Sequence, residues 1–242
     1  MKYQVLETAE LASRAVANEI IKQVVARPNS LLGLATGSTP LGVYKILVEQ
    51  SQLGLVDFSS VQVCLLDEYV GLSADSEQSY RHFINANFTD LVGLPNHAVH
   101  GLNGEAADLN AECDRYEELI ATLGGVDFQL LGLGENGHIA FNEPGTAAQS
   151  RTHQQLLAPK TRSANSRFFD SLDEVPTHAL TQGIATIAKA KKIVLLALGE
   201  SKAEAVADAV SADISEQVPA SLLRDHRDFL IVADRLAGAG LS

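Results

Sequence analysis

Residues 130–146 read "LLGLGENGHIAFNEPGT" and hold the groups with the most chemical promise. A histidine, His138, stands five residues before a glutamate, Glu143, among several glycines. A carboxylate near an imidazole fixes its tautomer and raises its basicity, which suits general acid–base work. A lone histidine is more often structural, but this one follows a buried apolar run. Asn136 could orient the same ring or hold a substrate hydroxyl. The stretch also matches Gly132-x-Gly134-x-x-Gly137, the spacing of a dinucleotide-binding turn. That turn needs its third glycine to open a helix and an acid about 20 residues on. Here Pro144 and Gly145 interrupt any helix, and residues 157–162, "LAPKTR", offer no acid. The glycines are better read as letting the backbone bend sharply beside a ligand.

Three further segments carry candidate groups. In "LATGSTP", Gly37, Ser38 and Thr39 lie between a strand and a helix. Backbone N–H groups and hydroxyls at a helix start form an anion site, although a simple N-cap would use the same residues. The segment lacks the Gly-Lys-Ser/Thr ending of a nucleoside-triphosphate loop, so a small phosphorylated metabolite fits it better. In "LLDEYVGL", Asp67 and Glu68 are adjacent at a strand end, so their side chains diverge and one enters a cleft. Asp67 suits a general base there; a solvated turn is the plainer reading. Lys202 follows "LALGES" at a helix start, where a cation opposes the macrodipole unless an anion faces it. Arg167, in "TRSANSRFFD", is expected on a helix, either facing the same anion or on a solvated face.

The elements that position these groups alternate between strand and helix patterns. Strands are expected at 3–7, 31–35, 61–67, 126–134, 192–199 and 228–234. Helices are expected at 8–26, 39–51, 76–89, 105–123 and 201–210, with Pro40 in a first turn. Continuous apolar strands such as "KIVLLALG" suit a parallel sheet covered on both faces. The expected fold is a single-domain, Rossmann-like α/β/α three-layer structure with a mostly parallel sheet, spanning 1–242. In such sheets ligands bind beyond the carboxyl ends of the strands. The turns after four strands supply "TGSTP", "DEY", "ENGH" and "GESK".

The whole chain sets limits on partners. Its 242 residues are 46% hydrophobic and 20% charged, an ordinary globular composition. A net charge of −12 argues against nucleic acid and acidic membranes as partners, so an anionic substrate would need positive charge gathered locally. Cys64 and Cys113 form no Cys-x-x-Cys pair, and neither a thiolate metal site nor a disulfide framework is expected. No apolar run approaches the ~18 residues of a membrane span, and the expected location is the cytoplasm.

Taken together, "GLATGSTPLGVYKIL", "LDEYVGL", "SYRHFINANF", "LLGLGENGHIAFNEPG", "TRSANSRFFD" and "ALTQGIATI" resemble the glucosamine-6-phosphate deaminase family, in order and over nearly the whole chain. The related 6-phosphogluconolactonases have a loop more like Gly-His-Thr-Ala-Ser-Leu-Phe-Pro, which this chain lacks. The resemblance implies conversion of glucosamine 6-phosphate and water to fructose 6-phosphate and ammonia, in amino-sugar catabolism. It implies that Gly37, Ser38, Thr39, Arg167 and Lys202 bind the phosphate. It further implies that His138 opens the sugar ring, supported by Glu143 and Asn136, and that Asp67 moves a proton between C2 and C1. No cofactor and no metal are implied. Some members have Asp at the position of Asn136, so Glu143 alone would tune His138 here. Residues 151–180, polar and carrying Arg167, are expected to form a mobile lid.

A sugar-phosphate lactonase or isomerase on the same scaffold is the rival enzyme. A sugar-phosphate sensor is the rival from another class, and it could lose Asp67 or His138, both present here. Longer members of the family are hexamers activated by N-acetylglucosamine 6-phosphate. Where they carry Arg and Lys, this chain has His153 and Gln155. The sequence also ends soon after its last strand, where those members carry an extension. The expectation is a monomer or small homo-oligomer without that activation.

Overall fold

A computed structural model describes residues 1–241, the side chains of Ala164 and Phe168 excepted. Ser242, the end of the expected 1–242 domain, lies outside the described residues. The chain begins with strand β1 (Lys2–Leu6) and helix α1 (Ala9–Ala26), whose first turn is capped by Thr8 accepting from the Leu11 N–H at 3.2 Å. Ala12, Val16, Ile20 and Val24 recur at helical spacing on α1 and are buried, so one face of the helix seals the sheet. Then follow β2 (Leu31–Leu34), α2 (Leu41–Gln52) and β3 (Gln62–Leu65). A short strand β4 (Asp67–Tyr69) leads to α3 (Tyr80–Ile84), which widens into a π turn over Asn85–Thr89. Strand β5 (Val99–His100), helix α4 (Leu109–Thr122) and strand β6 (Phe128–Gly132) complete the first half.

The second half holds β7 (His153–Leu156), α5 (Pro159–Asn165), β8 (His178–Thr181) and α6 (Ile184–Ile187). It ends with β9 (Lys192–Ala197), α7 (Ala203–Ser211) and β10 (Phe229–Asp234). Seven strands form one sheet in the order β1-β10-β9-β6-β2-β3-β5, and every adjacent pair is parallel. Helices flank it, and its central strands are buried. The expected α/β architecture with a mostly parallel sheet is therefore the one observed. From β2 the chain moves outward through β3 to β5, then returns to the other side of β2 with β6, β9 and β10. The order reverses between β2 and β6, which opens a crevice above their carboxyl ends.

A second, antiparallel sheet of order β4-β8-β7 stands beside this crevice. The sequence suggests one strand over 61–67, but the chain changes sheets at Leu66, between β3 and β4. The helix expected at 105–123 begins only at Leu109, where Asp108 caps it through the N–H groups of Asn110 and Ala111. Residues 151–180 contain β7, α5 and most of β8, so both ends of that stretch are held in sheet pairing.

Candidate active site

The crevice is a cleft of about 400 Å³ over the turns that follow β2, β3, β6 and β9. Gly37, Ser38, Thr39, Asp67, Asn136, His138, Arg167 and Lys202 all line it. Glu143 is buried and stands behind the lining, against Asn136 and His138. The expected site residues thus converge from five separate segments of chain.

Three side chains form a relay. Glu143 Oε2 accepts from Asn136 Nδ2 at 2.9 Å and lies 3.7 Å from His138 Nδ1. His138 Nδ1 meets Asn136 Oδ1 at 2.7 Å. The carboxylate oxygen demands a donor, so the Asn136 amide turns its NH₂ toward Glu143 and its carbonyl oxygen toward the ring. That oxygen can only accept, so Nδ1 carries the ring proton and Nε2 keeps its lone pair. A neutral asparagine therefore selects the basic tautomer. Burial lowers the His138 pKa; Glu143 opposes the shift, Lys202 adds to it, Glu135 opposes it and Lys160 adds to it. The free imidazole is accordingly held neutral, as a base needs.

Backbone geometry brings the ring into place. A Cβ on Gly134 would lie 2.2 Å from His138 Cε1, so only glycine lets the imidazole lie against that turn. Gly137 has φ +82°, a left-handed conformation, which reverses the chain between Asn136 and His138. Ala140, at φ 50°, also adopts the left-handed region within the same loop and lines the cleft.

Asp67 sits on β4 rather than in a solvated turn, paired with Thr181 of β8 and buried. Burial, and secondarily the charge of Glu68, hold its carboxyl well above the usual carboxylate range. Among the described residues, no group donates a hydrogen bond to it. Glu68 points away, as alternation requires. It accepts from the N–H groups of Tyr69 and Tyr80 through Oε1 at 2.9 and 3.0 Å, and of Arg81 through Oε2 at 3.0 Å. One acid thus enters the cleft while the other ties down the start of α3.

The cleft also gathers cations. Arg167, in a 3₁₀ turn over Ser166–Phe168 just after α5, reaches Ser38 Oγ at 3.4 Å. Lys202 immediately precedes α7. Burial lowers its pKa; Glu135 opposes that, while Lys160 and Arg167 add to it. Ser38 and Thr39 do not cap α2, whose N-cap position is Pro40 and receives no side-chain hydrogen bond. Their hydroxyls stay on the cleft wall.

Several lining residues escaped sequence reasoning. Lys160 pairs with Glu135 at 3.3 Å across the cleft mouth. Thr161, Asn165 and Tyr80 line it too, and Asn165 Nδ2 donates to Tyr69 Oη at 2.9 Å. Glu135 lay inside the quoted motif and could have been found there. Tyr80, Thr161 and Asn165 lie in quoted segments too, but their residue types do not by themselves point to a cleft.

Comparison with known proteins finds relatives over nearly the whole chain. Residues 6–232 match the family described as glucosamine-6-phosphate isomerases/6-phosphogluconolactonase. A glucosamine-6-phosphate deaminase of Thermoanaerobacter sp. (strain X514) is 47% identical over 239 residues, covering 99% of this chain and 94% of the relative. One from Clostridium perfringens is 45% identical over 234 residues, with 97% of each chain covered. Among solved structures, a monomeric glucosamine-6-phosphate deaminase superposes with a TM-score of 0.97 at 44% identity, covering 99% of this chain and 100% of the other. A 6-phosphogluconolactonase from Trypanosoma brucei, 21% identical with a TM-score of 0.81 and covering 100% of this chain and 98% of its own, shares the fold.

Proposed function

The chain belongs to the glucosamine-6-phosphate isomerase and 6-phosphogluconolactonase family, and from that membership and the site we propose that it is a glucosamine-6-phosphate deaminase acting in the cytoplasm. The observation that carries the reading is the Glu143–Asn136–His138 relay, which presents a basic imidazole nitrogen in a cleft shared with Asp67, Arg167 and Lys202.

The phosphate lies at the Gly37–Ser38–Thr39 turn, opposite Arg167 and Lys202, which supply positive charge that the chain as a whole lacks. His138 Nε2 takes the proton of the anomeric hydroxyl; the bond between C1 and the ring oxygen breaks, and the ring oxygen receives that proton. The product is an open aldehyde. Asp67 then takes the C2 proton, made acidic by the adjacent carbonyl. The electrons form a C1–C2 double bond, and the carbonyl oxygen gains a proton as the amine gives one up. Asp67 returns its proton to C1, leaving an imine at C2. Water adds there, ammonia departs, and fructose 6-phosphate remains. The raised Asp67 pKa suits a group that must both take and return a proton. Residues 151–180, which carry Arg167, act as the lid.

The test is a coupled assay for ammonia and fructose 6-phosphate, run with glucosamine 6-phosphate and without added metal. Stoichiometric release of both supports the reading. Hydrolysis of 6-phosphogluconolactone with no ammonia from the amino sugar would replace it with lactonase activity.

A further inference from the structure

Glu143 has two carboxylate oxygens, and the relay uses one. The other, Oε1, accepts a hydrogen bond from Thr161 Oγ1 at 2.5 Å. Both residues are 8% exposed. A buried carboxylate oxygen left without a donor is costly, and among the described residues Thr161 is the donor that Oε1 has. Thr161 does not come from the catalytic loop. It sits on α5, 18 residues further along.

That helix touches several parts of the site. Its Thr161 meets Glu143, its Lys160 meets Glu135, and its Asn165 meets Tyr69 beside Asp67. The turn that follows carries Arg167 to Ser38. Two turns of helix thus join the anion-binding end of the cleft to the back of the histidine relay.

Resting on the deaminase reading, we propose that Thr161 is a positioning residue, whose hydroxyl holds Glu143 in register with Asn136 and His138 when α5 lies over the cleft. The seating of the phosphate by Arg167 and the proton transfer at His138 are then coupled through α5. Loss of the hydroxyl leaves more of the Glu143 charge for the imidazole. The other charged groups acting on His138 are Lys202, Glu135 and Lys160, and a change at Thr161 leaves all three in place. A Glu143 carboxylate no longer offset by the hydroxyl dipole favours the protonated ring, so the His138 titration moves to higher pH.

The experiment compares Thr161→Val, Thr161→Ala and Thr161→Ser with the wild type. The first two remove the hydroxyl with different volumes; the third keeps it. His138 is titrated by NMR in the free protein, a readout independent of any substrate, and kcat and KM are measured with glucosamine 6-phosphate. We expect Val and Ala to raise the His138 midpoint together and to lower kcat about tenfold, the scale of one charge-assisted hydrogen bond. KM should change far less, and Ser should restore both midpoint and kcat. Unchanged midpoints in Val and Ala overturn the proposal, as does failure of Ser to restore them. Unfolding of both Val and Ala with Ser folded overturns it in favour of a purely structural role. A wild type inactive on glucosamine 6-phosphate sinks the deaminase reading instead, while the NMR titration still reports on Thr161.

Discussion

Burial and the neighbouring Glu68 hold the Asp67 carboxyl well above the usual carboxylate range, with opposite consequences for catalysis and for folding. In the proposed mechanism Asp67 is the base at C2 and must ionise, so Asp67→Asn should abolish turnover while the phosphorylated sugar still binds, measured by steady-state rates and calorimetry. For folding, the raised value is a penalty. Below about pH 4 the group is protonated in both folded and unfolded chains, and nothing is lost. As pH rises the unfolded chain ionises first, so stability falls until the folded pKa is passed. Asp67→Asn removes that loss: its melting temperature should exceed the wild type's near neutrality and match it near pH 4. A mutant no more stable at neutral pH would contradict the burial argument. Glu68→Gln should act differently, moving the acid limb of kcat/KM to lower pH as the like charge disappears. It should also cost ~1–3 kcal/mol of stability, because Glu68 accepts three backbone N–H groups. At this scale the sequence was informative where chemistry and backbone shape coincide, as in the run from Gly132 to Glu143. It was silent on Thr161, whose partner lies 18 residues away in a stretch with no period.

The central parallel strands, such as β6 and β9, could be read because they are continuous apolar runs, buried on both faces. The small antiparallel sheet could not. Its strands are three or four residues long; β4, "DEY", follows almost directly on the apolar run of β3, and β7 reads "HQQL" with alternating exposure. Yet that sheet fixes Asp67, through the pairing of β4 with β8. Two predictions belong to the turns that strands and helices leave at the cleft. Gly134→Ala places a Cβ 2.2 Å from His138 Cε1, so the ring or the turn must shift. Turnover should fall by tenfold or more, while far-UV circular dichroism stays unchanged; full activity would show that the ring tolerates another seat. Lys202→Ala and Arg167→Ala should each weaken binding of the phosphorylated sugar by ~1–3 kcal/mol, the scale of charge-assisted hydrogen bonds. Affinity for unphosphorylated glucosamine should hardly change. Equal losses for both ligands would mean that these cations support the fold.

At the scale of the whole molecule the question is whether a second anion site could regulate the first. Activation by a sugar phosphate requires two sites and two states that bind the ligand differently. The family resemblance sets His153 and Gln155, on β7, where the longer, activated members carry the Arg and Lys of a second site. Here His153 Nδ1 lies 2.8 Å from the Arg151 carbonyl oxygen and Nε2 3.3 Å from Gln155 Oε1, so the two side chains turn to the backbone and to each other. Gln155 Nε2 donates to the Leu156 carbonyl oxygen. Arg151 is also committed, pairing with the buried Glu117 at 3.4 Å. Glu117 accepts as well from the Thr152 N–H and from the hydroxyls of Thr152 and Thr186, which ties α4 and α6 to the residue that precedes β7. A dianion seated there would find an imidazole and an amide already turned to other partners and an arginine already paired with Glu117, and a buried phosphate without compensating charge is disfavoured. We therefore predict hyperbolic kinetics with glucosamine 6-phosphate, no response of KM to N-acetylglucosamine 6-phosphate, and a sedimentation mass of one chain or a small oligomer. The decisive measurement is the saturation curve with and without the acetylated sugar phosphate. A sigmoidal curve that becomes hyperbolic on its addition would require a second anion site and refute the argument from β7, whereas a hexameric mass with hyperbolic kinetics would correct only the assembly.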